Sequence, residues 1–264
     1  MPKLLKFLAF DTSTDRMSVA VTDGVRVWQH DGPGGAQAST HLIPAIQALL
    51  LESGLGLGEM DAIVFGRGPG SFTGLRTACA VAQGLAFGAN HGAGLAVLPI
   101  DTLMAVAEEA RFQQTGDMAA TDAPVTVMAL LDARMDEMYV QSYLFNSGLC
   151  TPVLHCTLIR PENLLAGPSV QLLAGNVFGV YADRLPASLS ALPCVPALPT
   201  APALLRLAPA LAAAGQCVAA DQALPLYVRD KVAQTTAERA QIKALALAQA
   251  ALAAPAAPVV PAKN

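Results

Sequence analysis

The sequence predicts an α/β protein in which a unit of three strands followed by a helix occurs twice. Two strand-rich stretches carry this reading, one from residue 4 and one from residue 124. Each opens on an apolar run that ends in an aspartate, Asp11 or Asp132, before a polar turn. The third observation is a glycine-dense loop, Gly-Arg-Gly-Pro-Gly-Ser-Phe-Thr-Gly-Leu-Arg at residues 66–76, set between an apolar strand and an amphipathic stretch, the strand–loop–helix order of α/β proteins.

Taken in order, Leu4 to Asp11, Met17 to Asp23 and Val25 to Asp31 read as three strands of an antiparallel meander, separated by Ser13-Thr14-Asp15 and Asp23-Gly24. A helix over 39–53 follows: Leu42, Ile43, Ile46, Leu49 and Leu50 recur at helical spacing, Ser39 or Thr40 can cap its start and Gly54 its end. Next come a strand at 62–65, the glycine loop, a helix at 74–90 capped by Ser71 or Thr73, a strand at 94–98 and a helix at 101–112. Residues 113–123 read as a linker. The pattern then restarts with strands at Val125–Asp132, Met138–Phe145 and Cys150–Thr157, the first two joined by a turn at 133–136. Beyond about residue 160 only a helix at 203–214 is legible in Pro- and Ala-rich sequence. Thr235-Thr236-Ala237-Glu238 is a capping box that opens an alanine-rich helix. The expected organisation is a first lobe at 1–112, the linker, a reduced second lobe at 124–232, the alanine-rich helix at 233–254 and a disordered tail at 255–264. A duplicated β-β-β-α unit with a cleft between its copies is the arrangement of the actin/hexokinase-like (ASKHA) fold.

Composition narrows the function. Of 264 residues 53% are hydrophobic, enough for one large core or two modest ones in contact. Sixteen basic against twenty acidic residues, a formal charge of −4, leave no general positive excess for nucleic-acid phosphates. The five cysteines are odd in number, scattered and without a Cys-x-x-Cys pair, the pattern of reduced buried thiols. No targeting segment is visible, which places the chain in the cytoplasm. Residues 244–262 are uncharged, but Pro255, Pro258 and Pro261 make them a poor membrane span.

The glycine loop has the backbone freedom of a phosphate loop but lacks its lysine: Leu75 and Arg76 follow Gly74, and no lysine occurs between Lys6 and Lys231. Asp11, Thr12 and Ser13 are the candidate cofactor-binding residues, since actin-like ATPases hold Mg²⁺ and phosphate on such a hairpin. The counterpart hairpin, Asp132-Ala133-Arg134, has an arginine in place of the glycine that phosphate requires, and Ala174-Gly175-Asn176 lacks the glycine pair expected under an adenosine. Both aspartates therefore read as turn residues that accept from their own backbone. Gly70-Ser71-Phe72-Thr73-Gly74 is not the Gly-x-Ser-x-Gly elbow of a serine hydrolase, and the four histidines are dispersed, with no His-x-x-x-His pair for a metal.

The helix at 74–90 has a flank with almost no side-chain bulk, Ala80, Gly84 and Gly88 at four-residue spacing. Glycine inside a helix costs about 1 kcal/mol against alanine, so two of them need a packing reason. Either the flank lies on the chain's own sheet or a partner helix packs there at short distance. The helix at 39–53 points to the partner, because its apolar positions, Leu42, Ile43, Ile46, Leu49, Leu50 and Leu51, cover more than one face.

Phe10-Asp11-Thr12-Ser13-Thr14, the glycine loop, Asp132-Ala133-Arg134-Met135-Asp136-Glu137 and Pro225-Leu226-Tyr227-Val228-Arg229 together resemble, in order and spacing, the TsaB (YeaZ) family over about residues 4–230. The resemblance implies the actin-like fold and an accessory, non-catalytic subunit of the machinery that makes threonylcarbamoyladenosine beside the tRNA anticodon. It implies contact with the catalytic paralogue TsaD, which carries the histidine pair missing here, and with the ATPase TsaE. Homodimers would form when the paralogue is missing, and tRNA would be met only through the complex, with no membrane. The implied interface comprises the helices at 39–53 (Leu42, Ile46, Leu49) and 74–90 (Ala80, Gly84, Gly88) with Gly70, Ser71, Phe72, Thr73, Gly74 and Arg76 beside them. No catalytic or metal-binding residue and no tightly bound cofactor is implied; any nucleotide would sit between subunits. The alternatives are an actin-fold ATPase or kinase and a glycoprotease-type hydrolase.

Overall fold

The computed structural model describes residues 3–92, 94–116 and 123–229. Met1–Val228 form one compact unit and Arg229–Asn264 a second, of which only Arg229 is described. The alanine-rich helix expected at 233–254 and the tail at 255–264 lie outside the described residues.

The first sheet holds β1 (Phe7–Asp11), β2 (Arg16–Thr22), β3 (Val27–Pro33), β4 (Ala62–Gly68) and β5 (Ala96–Asp101) in the order β3-β2-β1-β4-β5. β1 is antiparallel to β2 from Phe7↔Thr22 to Asp11↔Ser18, and parallel to β4. Every residue of β1 is buried, because the sheet is covered on both faces and alternate side chains enter different cores. Leu8 and Phe10, with Val19, Ile63 and Phe65, face α1 (Ala38–Ser53) and α2 (Phe72–Gly88). Phe7 and Ala9, with Val64 and Leu98, face α3 (Thr102–Thr115) and α5 (Ala201–Ala213).

The second sheet comprises β6 (Val125–Asp132), β7 (Met138–Asn146), β8 (Leu149–Pro152), β10 (Leu172–Gly175) and β11 (Cys194–Pro196), in the order β11-β10-β6-β7-β8, with β9 (Thr157–Ile159) also on β7. Its first two strands are antiparallel, and β6, β10 and β11 run parallel, the same sequence of senses as in the first sheet. The helices differ. Where the first sheet has α1 and α2, the second has a 3₁₀ turn at Pro161–Asn163, the four-residue α4 (Phe178–Tyr181) and two further 3₁₀ turns at Ala182–Arg184 and Ala187–Leu189. Leu164, Val170 and Leu189 of these connections help to cover its outer face, on Met128, Leu130, Val140 and Leu173.

α3 and α5 lie between the sheets and share one core with both: Val127, Ala129, Leu131 and Tyr143 of the second sheet join Phe7, Val64 and Leu98 of the first. This position explains why α3 is buried over most of its length. It also holds a buried ionic group. Glu108 accepts two bonds from Arg111, at 2.8 and 3.0 Å, and one at 2.7 Å from Arg206 of α5. Arg206 also pairs with Glu109 at 2.8 Å and lies 4.0 Å from the ring centre of Phe112.

Several expectations are corrected. α1 starts at Ala38 behind a 3₁₀ turn, and its cap residue Gln37 makes no side-chain cap bond; Ser39 Oγ donates instead to Ala36 O. Gly54 does end it, at φ 71°. β4 runs on through Gly68, so the glycine segment begins as strand, and α2 starts at Phe72 with Ser71 as its cap. α3 continues to Thr115, three residues into the stretch read as linker. The strand expected over Cys150–Thr157 is divided between β8 and β9. β10, α4 and β11 were not legible. The five cysteines are unpaired, but Cys194 is exposed rather than buried.

Candidate functional site

The glycine segment closes onto the hairpin between β1 and β2. Thr12 Oγ1 donates to Gly74 O at 2.7 Å and Ser71 N–H donates to Ser13 O at 2.7 Å. A Cβ at Gly74 would overlap the Thr12 carbonyl oxygen, one at Gly66 would overlap the Asp11 carboxylate, and one at Gly70 would stand 2.6 Å from Ser13 O. These three glycines are therefore required by close approach within the chain. Gly70 and Gly74, expected beside an interface, thus have a packing role within the chain. Asp11, Thr12 and Ser13 are all buried beneath the loop.

Asp11 Oδ1 accepts from Ser13 N–H at 2.8 Å and from Ser13 Oγ at 2.6 Å, while Thr102 Oγ1 donates to Oδ2 at 3.4 Å. Burial pushes its pKa up to about 6, and the bonds from Ser13 and Thr102 oppose that rise. The second hairpin is arranged alike. Asp132 Oδ1 accepts from Arg134 N–H at 2.9 Å and from Tyr181 Oη at 2.8 Å, and burial followed by that bond pushes the Tyr181 pKa to about 12. Both aspartates bond the backbone two residues on, as their turns led us to expect. Arg134 turns back on Asp132 at 3.5 Å, and Gly175 packs so tightly on β6 that a Cβ would overlap Leu130 O. Among the described residues no three His, Cys, Asp or Glu side chains converge as a metal site, and no helix is long and apolar enough to cross a membrane.

The outer surface of α1 and α2 is different. Ala80, Gly84 and Gly88 are exposed, and a Cβ at either glycine would meet nothing within 4 Å. The small flank thus points away from the chain's own sheet. Leu42, Ile46 and Leu49, expected at the interface, are buried against Leu8, Phe10 and Ile63; they are core residues, because they occupy the sheet-facing side of α1. The outward apolar residues of the two helices are Ile43 (44% exposed), Leu51 (85%) and Phe87 (59%). Ile43 and Leu51 belonged to the wide apolar arc read from sequence; Phe87, three residues beyond Gly84, was missed although helical spacing puts it beside the flank.

Around the start of α2, Ser71 and Thr73 are exposed and Phe72 is half-buried. The Arg76 guanidinium lies 3.8 Å from the Phe72 ring centre, and its Nε donates to Tyr227 Oη at 3.2 Å. Tyr227 comes from the chain's return over α2, where Leu226 N–H donates to Arg67 O at 2.7 Å and Cys79 Sγ and Gln83 Nε2 both donate to Ala223 O, at 2.8 and 3.0 Å. No local pattern announces that contact, since Arg76 and Tyr227 are 151 residues apart.

The arrangement has known counterparts. The family model described as "TsaD: tRNA N6-adenosine threonylcarbamoyltransferase" matches residues 34–258. The "tRNA threonylcarbamoyladenosine biosynthesis protein TsaB" of Escherichia coli (strain K12) is 31% identical over 237 residues, 87% of this chain and 96% of that protein. The protein of the same description from Haemophilus influenzae is 41% identical over 135 residues, about half of each chain (51% and 52%). The solved structure of YeaZ from Pseudomonas aeruginosa superposes with a TM-score of 0.73 at 35% identity, covering 84% of this chain and 99% of that one. The chain belongs to the TsaB/YeaZ family, within the wider family that the TsaD model describes.

Proposed function

We propose that this chain acts in tRNA threonylcarbamoyladenosine biosynthesis as a non-catalytic scaffold subunit, a two-lobed, duplicated actin-like protein whose second lobe has lost two covering helices. It pairs through α1 and α2 with a TsaD-type catalytic paralogue, supports a TsaE-type ATPase, self-associates when alone and meets tRNA only within the complex, in the cytoplasm. The observation that carries this reading is the exposed α1–α2 face. Ile43, Leu51 and Phe87 surround a flank whose Gly84 and Gly88 face open space, an apolar surface smooth enough for a second helix pair to approach closely. The family match includes a catalytic family, so the non-catalytic role rests on the hairpin: an ATPase or kinase of this fold needs the Asp11 turn open to phosphate, and here Ser71 and Gly74 occupy it. Among the described residues no Ser-His arrangement supports the hydrolase reading.

Calorimetry with the TsaD-type paralogue tests the proposal. Gly84→Leu places bulk where helices meet, and overpacking of about 1 to 3 kcal/mol corresponds to a loss of affinity of about tenfold or more. The isolated variant stays folded by circular dichroism, with a melting temperature no lower than that of the wild type, since no described residue lies within 4 Å of the added Cβ. Wild-type affinity in the variant would remove the interface from this face.

A further inference from the structure

After α5 the chain returns along α2 as a strap that is bonded to the helix and to the strand before it. Ala223 O accepts from Cys79 Sγ at 2.8 Å and from Gln83 Nε2 at 3.0 Å, near the middle of α2. Leu226 N–H donates to Arg67 O at 2.7 Å, and a Cβ at Gly68 would stand 2.5 Å from Leu226 O, so the strap is also pinned on the end of β4. These anchors carry Tyr227 to the first turn of α2. Its ring centre lies 5.2 Å from that of Phe72, and its Oη accepts from Arg76 Nε at 3.2 Å. The Arg76 guanidinium lies 3.8 Å from the Phe72 ring centre. Its plane therefore rests on Phe72 and its Nε on Tyr227, while among the described residues its terminal nitrogens have no hydrogen bond or ion pair.

The Tyr227 hydroxyl contributes little to the fold, since Arg76 and Tyr227 are both exposed and each would otherwise bond water. Its effect is on the freedom of the arginine. A free arginine loses rotamer entropy when it is bound, whereas a guanidinium already engaged on its plane and at Nε has only its fork left to fill. The fork also stands at a decisive place. Arg76, Ala80, Gly84 and Gly88 follow one another at four-residue steps on the exposed stripe of α2, and Arg76 is the only charged residue of that helix. A helix laid along Ala80, Gly84 and Gly88 meets no side chain that fixes its axial position. The fork at the head of the stripe supplies that fix, and the protein group that matches it in charge and shape is a carboxylate. One cation is too few for a nucleic-acid backbone, whose binding takes several.

We infer that Tyr227 of the strap is a positioning residue: it holds the Arg76 fork in the orientation that receives a carboxylate of the TsaD-type paralogue and so sets the register of the pair. This rests on the proposed role of the α1–α2 face and names what selects its partner. A double-mutant cycle tests it, by calorimetry of the full chain with the paralogue and without tRNA, each variant being checked for folding by circular dichroism. Arg76→Met keeps the stem over Phe72 but removes the charge, and should weaken binding about tenfold. Tyr227→Phe keeps the ring but removes the acceptor, and should weaken binding about threefold in the wild-type chain and not at all in Arg76→Met. Raising the salt concentration should narrow the gap between wild type and Arg76→Met. Wild-type affinity in Arg76→Met overturns the inference, and a Tyr227→Phe loss of equal size in both backgrounds overturns the positioning role. Gly84→Leu separates this idea from the reading beneath it. If Gly84→Leu abolishes binding while Arg76→Met and Tyr227→Phe do not, the contact face stands and the positioned arginine falls; if none of the three has any effect, the paralogue binds elsewhere and both fall.

Discussion

Asp11 places a carboxyl group under the glycine loop, where its partners are hydroxyls and one backbone N–H. Burial raises its folded pKa to about 6 from an ordinary value of 3.8, so the folded chain keeps the proton after the unfolded chain has released it. Its contribution to stability is full below about pH 4 and is lost as pH rises through about 6, a decrease of about 3 kcal/mol at most. Urea titrations of the wild type and Asp11→Asn from pH 4 to 7 should show the wild type losing stability relative to the variant across that window; parallel curves would mean the carboxyl is not so perturbed. Gly74→Ala is the sharper steric test. Its Cβ meets backbone at Thr12, which cannot rotate away, and the expected destabilisation is about 1 to 3 kcal/mol by urea titration. The turn role of both aspartates was legible because Asp followed by small polar residues bonds its own backbone. That the glycine loop fills the Asp11 hairpin was not, because close approach between residues 12 and 74 leaves no periodic trace.

Within the helices, glycine has opposite meanings at positions that look alike in sequence. Gly84→Ala should stabilise the isolated chain by about 0.5 to 1 kcal/mol, because the position is exposed, helical and unobstructed. Thermal melts at low protein concentration would show it, and a decrease would place an obstruction there. α3 and α5 are joined by Glu108, and Glu108→Ala would leave the buried Arg111 guanidinium without its carboxylate, at a cost of about 3 to 5 kcal/mol. Arg206→Ala should cost less, since Arg206 is partly exposed and Arg111 keeps its pairing with Glu108; equal losses would argue against this ordering of the group. α1 and α2 could be read from apolar spacing, glycine and serine. The division of α1 into core and outward residues could not, because Leu42 and Ile43 are equally apolar and only the position of the sheet separates them.

For the molecule as a whole, the proposed scaffold role predicts that Mg²⁺–ATP leaves the melting temperature of the purified chain unchanged, since a ligand of the native state would raise it. A rise that Asp11→Ala abolishes would reopen the nucleotide reading. The first sheet was legible almost strand for strand because its helices are long and its turns carry Asp, Gly and Ser. The second was half legible: β6 is a nearly continuous apolar run and β7 follows it across a polar turn, but β10 and β11 are four and three residues long, between loops that replace helices. The middle layer carries a further consequence, for how the chain is made. α5 completes the inner face of a sheet whose five strands end at Asp101, and the return at Ala223 and Leu226 pins α2 from still later in the chain. A ribosome that has released only the first hundred or so residues has therefore delivered a sheet with one face uncovered and α2 without its strap. The fold closes late, on contacts of long sequence separation, so the partner contact proposed for α1 and α2 would follow synthesis rather than accompany it.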